Sequence, residues 1–348
     1  MLIGIIVFLA LSFLILAHEA GHFFAARLFK LKIDEFGFGF PPRLWAKKKS
    51  DVEWSVNWLP FGGFVKIAGE NDRILGETEK LEGLSEEERR HLFLFQKPWK
   101  RALIILAGVI INFVAGWLLL STVFMIGTPQ FLLVSGTQSG SPAAMAGFKS
   151  GDLIEDFKTS GEFIAFVNAH RGQEVTVSIL RDSKQLNISA VPRRETKADE
   201  GALGVFLAES GVPRLGFFPA LWRGLVEAGK IFRTMVVSFG TIFKSIFLHG
   251  SIPEGVSGPI GIFTVAQEAG KIGLIHLVQL FAFISLNLAV LNLMPFPALD
   301  GGRFALILVE KLRGKAISVT AEAWINGAGF LLLLALMAVI TVRDIIRL

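Results

Sequence analysis

The stretch Ala17-His18-Glu19-Ala20-Gly21-His22 decides how this chain is interpreted, because it sets three ionisable side chains inside an apolar run. The run, Leu2–Ala26, contains no other ionisable residue. Positions i and i+4 share one face of a helix, so His18 and His22 can direct imidazole nitrogens at one metal ion. Glu19 is adjacent and is the candidate general base. A chance match does not explain the setting, since such groups are costly in a bilayer-length helix unless a partner compensates.

Composition indicates a membrane protein. Of the 348 residues, 52% are hydrophobic, and the mean hydropathy is +0.56. Four runs are long enough to cross about 30 Å of hydrocarbon. They are Leu2–Ala26, Ala102–Ile126, Ile272–Leu299 and Ala323–Val342. The first is not predicted to be a cleavable signal peptide, because no basic segment precedes it and it contains the histidine motif.

Basic residues near the span ends predict the orientation. They flank the loop between the first two spans and follow the third: Arg27, Lys30, Lys32, Lys97, Lys100, Arg101, Arg303, Lys311, Arg313 and Lys315. Because loops rich in lysine and arginine stay in the cytoplasm, both termini are predicted to be extracytoplasmic. The net charge of +5 therefore indicates membrane orientation rather than nucleic-acid binding. The absence of cysteine excludes disulfides.

The first cytoplasmic loop contains a predicted β-hairpin. Trp54–Trp58 and Phe64–Ile67 flank Gly62-Gly63, which suggests strand, turn and strand. The pattern alone fits an ordinary surface hairpin equally well. Glu77–Arg90 is highly charged and is predicted to be a solvated helix.

A small β-rich domain is predicted between the second and third spans, from Thr128 to about Ser210. Pro142–Ala146 is predicted to be a short helix, with Ser141 as its N-cap and Gly147 as its stop. Gly151-Asp152 is predicted to be a turn. Glu174–Leu180 and Gln185–Val191 alternate apolar and polar residues and are predicted to form a hairpin. The orientation places this domain outside the cytoplasm. After it, Leu225–Leu248 carries a one-sided polar stripe, which predicts a helix in the membrane interface rather than a fifth span.

The end of the third span supplies a candidate third ligand. Pro295 and Pro297 break the helix, and unwound backbone at membrane depth is tolerated only beside protein or a water-filled cavity. Asp300 follows at the same cytoplasmic depth as the two histidines, and catalytic zinc commonly has three protein ligands. On the second span, Asn112 is compatible with helix packing alone or with an amide that faces the metal helix.

Taken together, these motifs resemble the site-2 protease family of intramembrane zinc metalloproteases, and in particular its bacterial RseP-like branch. The resemblance covers nearly the whole chain. The matching segments are His18–His22 with the following Phe23–Arg27, then Phe36–Leu44, Pro60–Lys66, Ser257–Ile262 and Asn287–Gly302.

The resemblance implies cleavage of transmembrane segments, often of anti-sigma factors, after a first cut has trimmed the substrate outside the membrane. It implies a hairpin that enters the membrane beside the active site, and a PDZ-like outer domain through Gly140–Ala144 and Gly151–Ile154. Asn292 matches a family asparagine that holds the substrate backbone. Only one PDZ-like unit fits, no Gly-Leu-Gly-Phe loop is recognisable, and Arg303 stands where a histidine is common.

We therefore expect a polytopic α-helical membrane protein with four transmembrane helices, a cytoplasmic membrane-reentrant β-hairpin and an inserted extracytoplasmic PDZ-like domain. The expected divisions are residues 1–127, 128–212, 213–256 and 257–348. The expected activity is zinc-dependent peptide hydrolysis within or near transmembrane segments, with one Zn²⁺ per chain held by His18, His22 and Asp300. Gly62, Gly63, Phe64, Val65 and Asn292 are the expected substrate-binding residues. The expected location is the bacterial inner membrane, with no nucleic-acid partner.

Two alternatives come from other functional classes. The first is a non-catalytic membrane adaptor that binds partners through its PDZ-like domain, although an adaptor needs none of the four residues of the metal motif. The second is a transporter, because broken helices and intramembrane charges also mark ion paths. Four spans without a visible inverted repeat do not favour it.

Overall fold

The computed structural model describes residues 2–70, 83–181, 184–196, 200–249 and 258–347. It separates into two compact units, one formed by Met1–Ser121 with Leu221–Leu348 and the other by Thr122–Ala220. The helices are α1 (Leu2–Leu28), α2 (Glu86–Arg89), α3 (Pro98–Ile126), α4 (Pro142–Ala146), α5 (Ser160–Ala169), α6 (Phe217–His249), α7 (Pro259–Ile272), α8 (Leu274–Leu293), α9 (Asp300–Arg313) and α10 (Val319–Arg347). The strands are β1 (Ile33–Lys49), β2 (Val52–Ile67), β3 (Thr128–Thr137), β4 (Leu153–Ile154), β5 (Val175–Arg181), β6 (Lys184–Ala190) and β7 (Val205–Val212).

Four of these helices, α1, α3, α8 and α10, are long and apolar enough to cross a membrane, as predicted. The third predicted span is too long at its end, because α8 ends at Leu293 rather than Leu299. Pro295 and Pro297 cannot donate the backbone hydrogen bonds that would continue the helix, and proline disfavours helical geometry in the residue before it. The chain resumes as a new helix, α9, at Asp300.

The spanning helices pack closely in the first unit. A side chain at Gly21 of α1 would lie 2.6 Å from the Ala107 carbonyl oxygen of α3, so glycine permits this approach. On the other side of α3, the Ser285 hydroxyl of α8 donates to the Asn112 carbonyl oxygen at 2.7 Å. Helices α1, α3 and α8 therefore meet around a buried polar centre rather than through apolar contacts alone.

Strands β1 and β2 form the sheet of the first unit, but the predicted pairing is wrong. Trp54–Trp58 and Phe64–Ile67 both lie within β2 and do not pair with each other as a simple hairpin. The first part of β1 lies between them, because Phe36 pairs with Val65 on one side and with Trp54 on the other. Within the described part of the chain, the segment 63–67 is thus an edge of the sheet. The alternating glycines and phenylalanines of β1 gave no clear strand signal, so the sequence pattern missed the central strand.

One core of the first unit joins the end of α1 to this sheet. Its buried residues come from α1, β1, β2, α3, α9 and the connecting segments: Ala26, Leu31, Ile33, Val52, Ile67, Phe93, Ile104, Ile105 and Ile307. Of the predicted helix Glu77–Arg90, the described part contains α2, which Ser85 caps, while residues 77–82 lie outside the described residues.

The second unit contains a five-stranded antiparallel sheet in the order β6-β5-β4-β3-β7. The predicted helix Pro142–Ala146 is confirmed, with Ser141 as its cap and Gly147 at φ 91° as its stop. The predicted hairpin is confirmed as β5 and β6, although its turn at 182–183 lies outside the described residues. Asp152 is buried, and Arg181 donates two hydrogen bonds to it at 2.6 and 2.7 Å, which hold its pKa below the usual value despite the opposing effect of burial.

Helix α6 begins eight residues before the predicted start and packs along α3. The Trp117 indole N–H donates to the Leu221 carbonyl oxygen at 2.8 Å, and the Phe113 and Phe232 rings lie 5.5 Å apart. These contacts follow opposite orders along the two helices, so α6 lies antiparallel to α3 over this length. Charged residues such as Glu227 and Lys230 remain on its exposed side. Its depth in a membrane stays a prediction.

Candidate metal centre

The helical spacing of the motif brings the two histidine rings together on α1. His18 and His22 are 7% and 8% exposed, and their ring centroids lie 4.8 Å apart at nearly a right angle. Their Nε2 atoms are separated by 3.2 Å. Gly108 of α3 makes room for both rings, since a side chain there would lie 2.5 Å from His22 Nε2 and 2.6 Å from His18 Cε1.

Asp300 completes the cluster from the start of α9. Its Oδ2 atom lies 3.0 Å from His18 Nε2 and 3.2 Å from His22 Nε2. The chain reverses sharply to deliver this carboxylate, and a side chain at Gly301 or Gly302 would collide with the backbone oxygens of Met294 or Phe296. The broken end of α8 and the two glycines after Asp300 therefore place the carboxylate beside residues that are nearly 280 positions earlier in the sequence.

The distal ring nitrogens orient the histidines. His22 Nδ1 donates to the Ile104 carbonyl oxygen at 2.9 Å, so the neutral ring carries its lone pair on Nε2. His18 Nδ1 lies 3.3 Å from the carboxamide of Asn112, a residue that is 1% exposed. The structure thus places Asn112 against the metal helix, which is one of the two arrangements that its sequence position allowed.

The donor atoms fit a zinc ion. Two imidazole nitrogens and one carboxylate oxygen are typical zinc ligands, and a tetrahedral ion separates its ligand atoms by about 3.3 Å. The three atoms here lie 3.0–3.2 Å apart. Asp300 Oδ2 is buried and receives no hydrogen bond of suitable geometry from the described residues. A cation among the three atoms would remove the repulsion between their lone pairs and satisfy this buried oxygen.

Glu19 lies beside the cluster but is not one of its three members. Its Oε2 atom accepts a hydrogen bond from the Val65 backbone N–H at 3.1 Å. Gly63 also lies close to Glu19, since a Cβ atom at this position would lie 3.5 Å from Glu19 Cγ. The edge segment of β2 therefore reaches the candidate base. Glu19, Asp300 and the histidine His18 face a cavity of about 240 Å³, which could admit water and substrate.

The predicted substrate-binding residues differ in their positions. Asn292 lines the same cavity, and its Nδ2 atom is 3.5 Å from His18 Nε2. Gly63 and Val65 face α1, as described above. Gly62 instead lies against the Phe40 ring, and the Phe64 ring packs against Gly37 within the sheet. The structure thus brings Asn292, Gly63 and Val65 to the centre, whereas Gly62 and Phe64 contact the sheet.

Sequence reasoning assigned no role at the centre to Ile104 or Glu70, and it left the role of Asn112 open. The Ile104 carbonyl cannot be found from a side-chain pattern, because its role depends only on backbone position. Gly108 and Asn112 carry the signal of a small residue four positions before an amide, but this spacing also occurs in ordinary helix packing. Glu70 lies close to the centre in space, and burial raises the pKa of its carboxyl while Arg303 opposes that rise.

The sequence of the whole chain is similar to those of known zinc metalloproteases. The chain matches the family described as Peptidase family M50 over residues 6–336, which is most of its length. A Brucella suis protein whose name classes it as a candidate zinc metalloprotease is 30% identical, and the match covers 99% of this chain and 96% of that protein. Two Bacillus relatives have similar coverage.

The zinc metalloprotease RasP of Bacillus licheniformis is 28% identical, and the regulator of sigma-W protease RasP of Bacillus subtilis is 27% identical. Each match covers 96% of both chains. Near full-length similarity of this kind, together with four helices that can cross a membrane, agrees with an enzyme and not with an adaptor or a transporter. The chain belongs to peptidase family M50, the site-2 proteases, and is a multi-pass membrane zinc metalloprotease of the kind that acts in regulated intramembrane proteolysis.

Proposed function

We propose that His18, His22 and Asp300 hold the zinc ion of this protease and that Glu19 is its general base. The observation that carries this proposal is the convergence of three buried donor atoms within 3.0–3.2 Å beside a fourth ionisable group. Asn112 and the Ile104 carbonyl orient the two histidines by binding their Nδ1 atoms. Zinc, when bound, polarises the scissile carbonyl and makes the attacking water more acidic.

Glu19 carries the proton transfers in this mechanism. Its carboxylate takes a proton from the attacking water and passes it to the nitrogen of the leaving amine. Before substrate binds, the Val65 N–H holds Oε2. Once a substrate carbonyl takes this N–H, both carboxylate oxygens are available for the proton. The apolar side chains of α1 and α8 limit the entry of bulk water, while the cavity of about 240 Å³ leaves room for the reacting water.

We infer that the substrates are transmembrane segments of membrane proteins, with anti-sigma factors among them. The name of the Bacillus subtilis relative, regulator of sigma-W protease RasP, supports that class. The position of the centre supports it too, because His18 and His22 lie within an apolar helix long enough to cross the membrane.

A helical substrate must be extended before its peptide bonds can be cut, since each carbonyl of a helix is hydrogen-bonded and surrounded by side chains. We infer that the edge segment of β2, residues 63–67, binds the extended substrate as an added strand. Gly63 and Val65 face α1 and offer their backbone to the substrate, while Gly62 and Phe64 shape this edge through contacts within the sheet. Asn292 binds the substrate from the other side of the cavity. Substrate binding then requires that the Val65 N–H exchange Glu19 for a substrate carbonyl.

We also propose the orientation and division of the chain that its sequence predicts. The hairpin enters the membrane from the cytoplasm, and both termini and the PDZ-like domain at 128–212 face the other side of the inner membrane. The sheet, α4 and α5 of the second unit support a small domain here. We infer that it excludes substrates whose outer part is still large. We also infer that the region 213–256, of which residues 250–256 lie outside the described residues, is interfacial through α6, and that 257–348 completes the catalytic membrane part.

Substitution Glu19→Gln tests the catalytic assignment. The amide cannot accept the proton, so we expect full zinc content but a loss of cleavage of a model transmembrane substrate by about 100-fold or more. The matched control, Glu162→Gln, changes an exposed glutamate of the second unit and should cleave normally. Appreciable cleavage by the Glu19→Gln protein would show that another group is the base.

A further inference from the structure

An ion pair outside the proposed ligand set connects the two elements that meet at the centre. Arg303 Nη1 lies 2.5 Å from Glu70 Oε1. Glu70 follows the end of β2 by three residues, and Arg303 lies one helical turn after Asp300 in α9. The side chains are 13% and 35% exposed, so this is a partly desolvated contact rather than a surface pair.

The backbone before Glu70 is fixed on both sides. The Ala68 N–H donates to the Lys32 carbonyl oxygen at 3.0 Å, and the Ala68 carbonyl oxygen accepts from the Phe93 N–H at 2.9 Å. Gly69 adopts a φ of 78° and packs against Leu92. The Glu70 carboxylate is therefore a fixed anchor at the end of the strand whose Val65 N–H binds Glu19.

The other end of the pair controls the orientation of α9. This helix begins without a side-chain cap, so its first turn is held by packing and by contacts further along. Residues three apart lie on neighbouring sides of a helix, and a rotation that displaced Arg303 would also turn Asp300 away from the histidines. A charge-assisted hydrogen bond to a fixed carboxylate opposes that rotation.

We propose that the Glu70–Arg303 pair is a positioning device that keeps Asp300 directed at His18 and His22 and keeps the edge of β2 against α1. This inference rests on the proposed zinc site. Neither residue touches the donor atoms of that site. Their contribution is to fix two elements, α9 and β2, relative to each other, so that the third ligand and the strand that contacts the base are in place together.

The test measures zinc affinity by chelator competition on the full-length protein in detergent, and kcat and KM on a model transmembrane substrate. We expect Glu70→Gln, Arg303→Met and the double variant each to weaken zinc binding by about tenfold or more, the range for residues that orient metal ligands. We expect kcat to fall while KM changes little. Arg303→Lys keeps the charge without the planar fork and should recover part of the zinc affinity.

The matched control is Arg193→Met, which breaks an Arg–Glu pair of 2.7 Å in the second unit and should leave zinc affinity unchanged. If the double variant binds zinc as the wild type does, the pair only neutralises its own buried charges and the proposal is wrong. Unchanged affinity in all the variants would contradict it equally. A wild-type protein that binds no zinc would instead refute the proposed site itself, which separates the two failures.

Discussion

Asn112 illustrates what a single residue adds to the proposed zinc site. Its carboxamide lies 3.3 Å from His18 Nδ1, and the Ser285 hydroxyl fixes its backbone by donating to its carbonyl oxygen. When Nδ2 faces the His18 ring, the Asn112 Oδ1 atom is buried without a hydrogen-bond partner. Rotating the carboxamide by 180° exchanges the two atoms and places Oδ1 against the ring. With Oδ1 facing the ring, Asn112 accepts a hydrogen bond from the His18 Nδ1–H, so the lone pair of the neutral ring is on Nε2.

Substitution Asn112→Leu should therefore weaken zinc binding while the three ligands remain. We expect a loss of affinity of about 10- to 100-fold in chelator competition, because the His18 ring loses its partner. Asn187→Leu, at an exposed position of β6, is the matched control and should bind zinc normally. Normal affinity in Asn112→Leu would reduce the role of this residue to helix packing.

At this scale the sequence predicts side chains that share one local element better than those that meet across the fold. His18, Glu19 and His22 follow from helical periodicity, and Asp300 follows from the broken span and a common depth. The partners Asn112 and Ile104 depend on how α3 is rotated against α1, which is decided by close packing at Gly21 and Gly108. No local pattern contains that rotation.

At the scale of elements, the sheet of β1 and β2 shows that sequence patterns predict individual strands better than they predict strand pairing. Both segments of β2 were predicted as strands, but the strand between them, at the start of β1, was not. Pairing is a non-local property, and the glycines at 37 and 39 weaken the strand signal in β1 although they admit the Phe64 ring and the neighbouring backbone. The break of the third span at Pro295 and Pro297 was similarly predicted, whereas the restart of the helix at Asp300 needed the fold.

Substitution Val65→Pro tests the proposed strand edge. Proline removes the backbone N–H without changing a zinc ligand. We expect unchanged zinc content, with cleavage of a helical transmembrane substrate falling at least tenfold more than cleavage of a flexible, helix-broken one. The tenfold margin corresponds to about 1.4 kcal/mol, which is within the range of one or two backbone hydrogen bonds.

Val65→Ala is the matched control for that substitution, since it shortens the side chain but keeps the N–H, and it should cleave both substrates. Equal losses for the two substrates would contradict strand addition at the edge segment of β2 and assign the Val65 N–H to the positioning of Glu19 alone. No loss for either would remove this edge from the mechanism.

At the scale of the whole molecule, hydropathy and basic residues predict four spans and an orientation. Among the described residues, four helices have sufficient length and apolarity, and each overlaps one of the four predicted runs. The second unit was predicted as β-rich from the alternating pattern of its hairpin, but β3, β7 and α5 were not identified. Strands β3 and β7 pair with each other from distant parts of the sequence, and a local pattern does not contain that pairing. The side of the membrane that each loop faces stays a prediction, and cysteine labelling can test it.

A single cysteine at Ser50, in the turn between β1 and β2, tests the orientation without interference, because the chain has no cysteine of its own. We expect no reaction with a membrane-impermeant thiol reagent in intact cells and full reaction after permeabilisation. A cysteine at Asn187 in the second unit is the control and should react in intact cells. Labelling at position 50 but not at 187 in intact cells would reverse the proposed orientation.

Zinc stoichiometry tests the central claim most directly. Elemental analysis of the detergent-purified full-length protein should give one zinc per chain in the wild type and in Glu19→Gln. The ion should be largely lost in His22→Ala and in Asp300→Ala, because each removes one of three protein ligands. Full zinc occupancy in either of these two variants would contradict the proposed ligand set and the mechanism built on it.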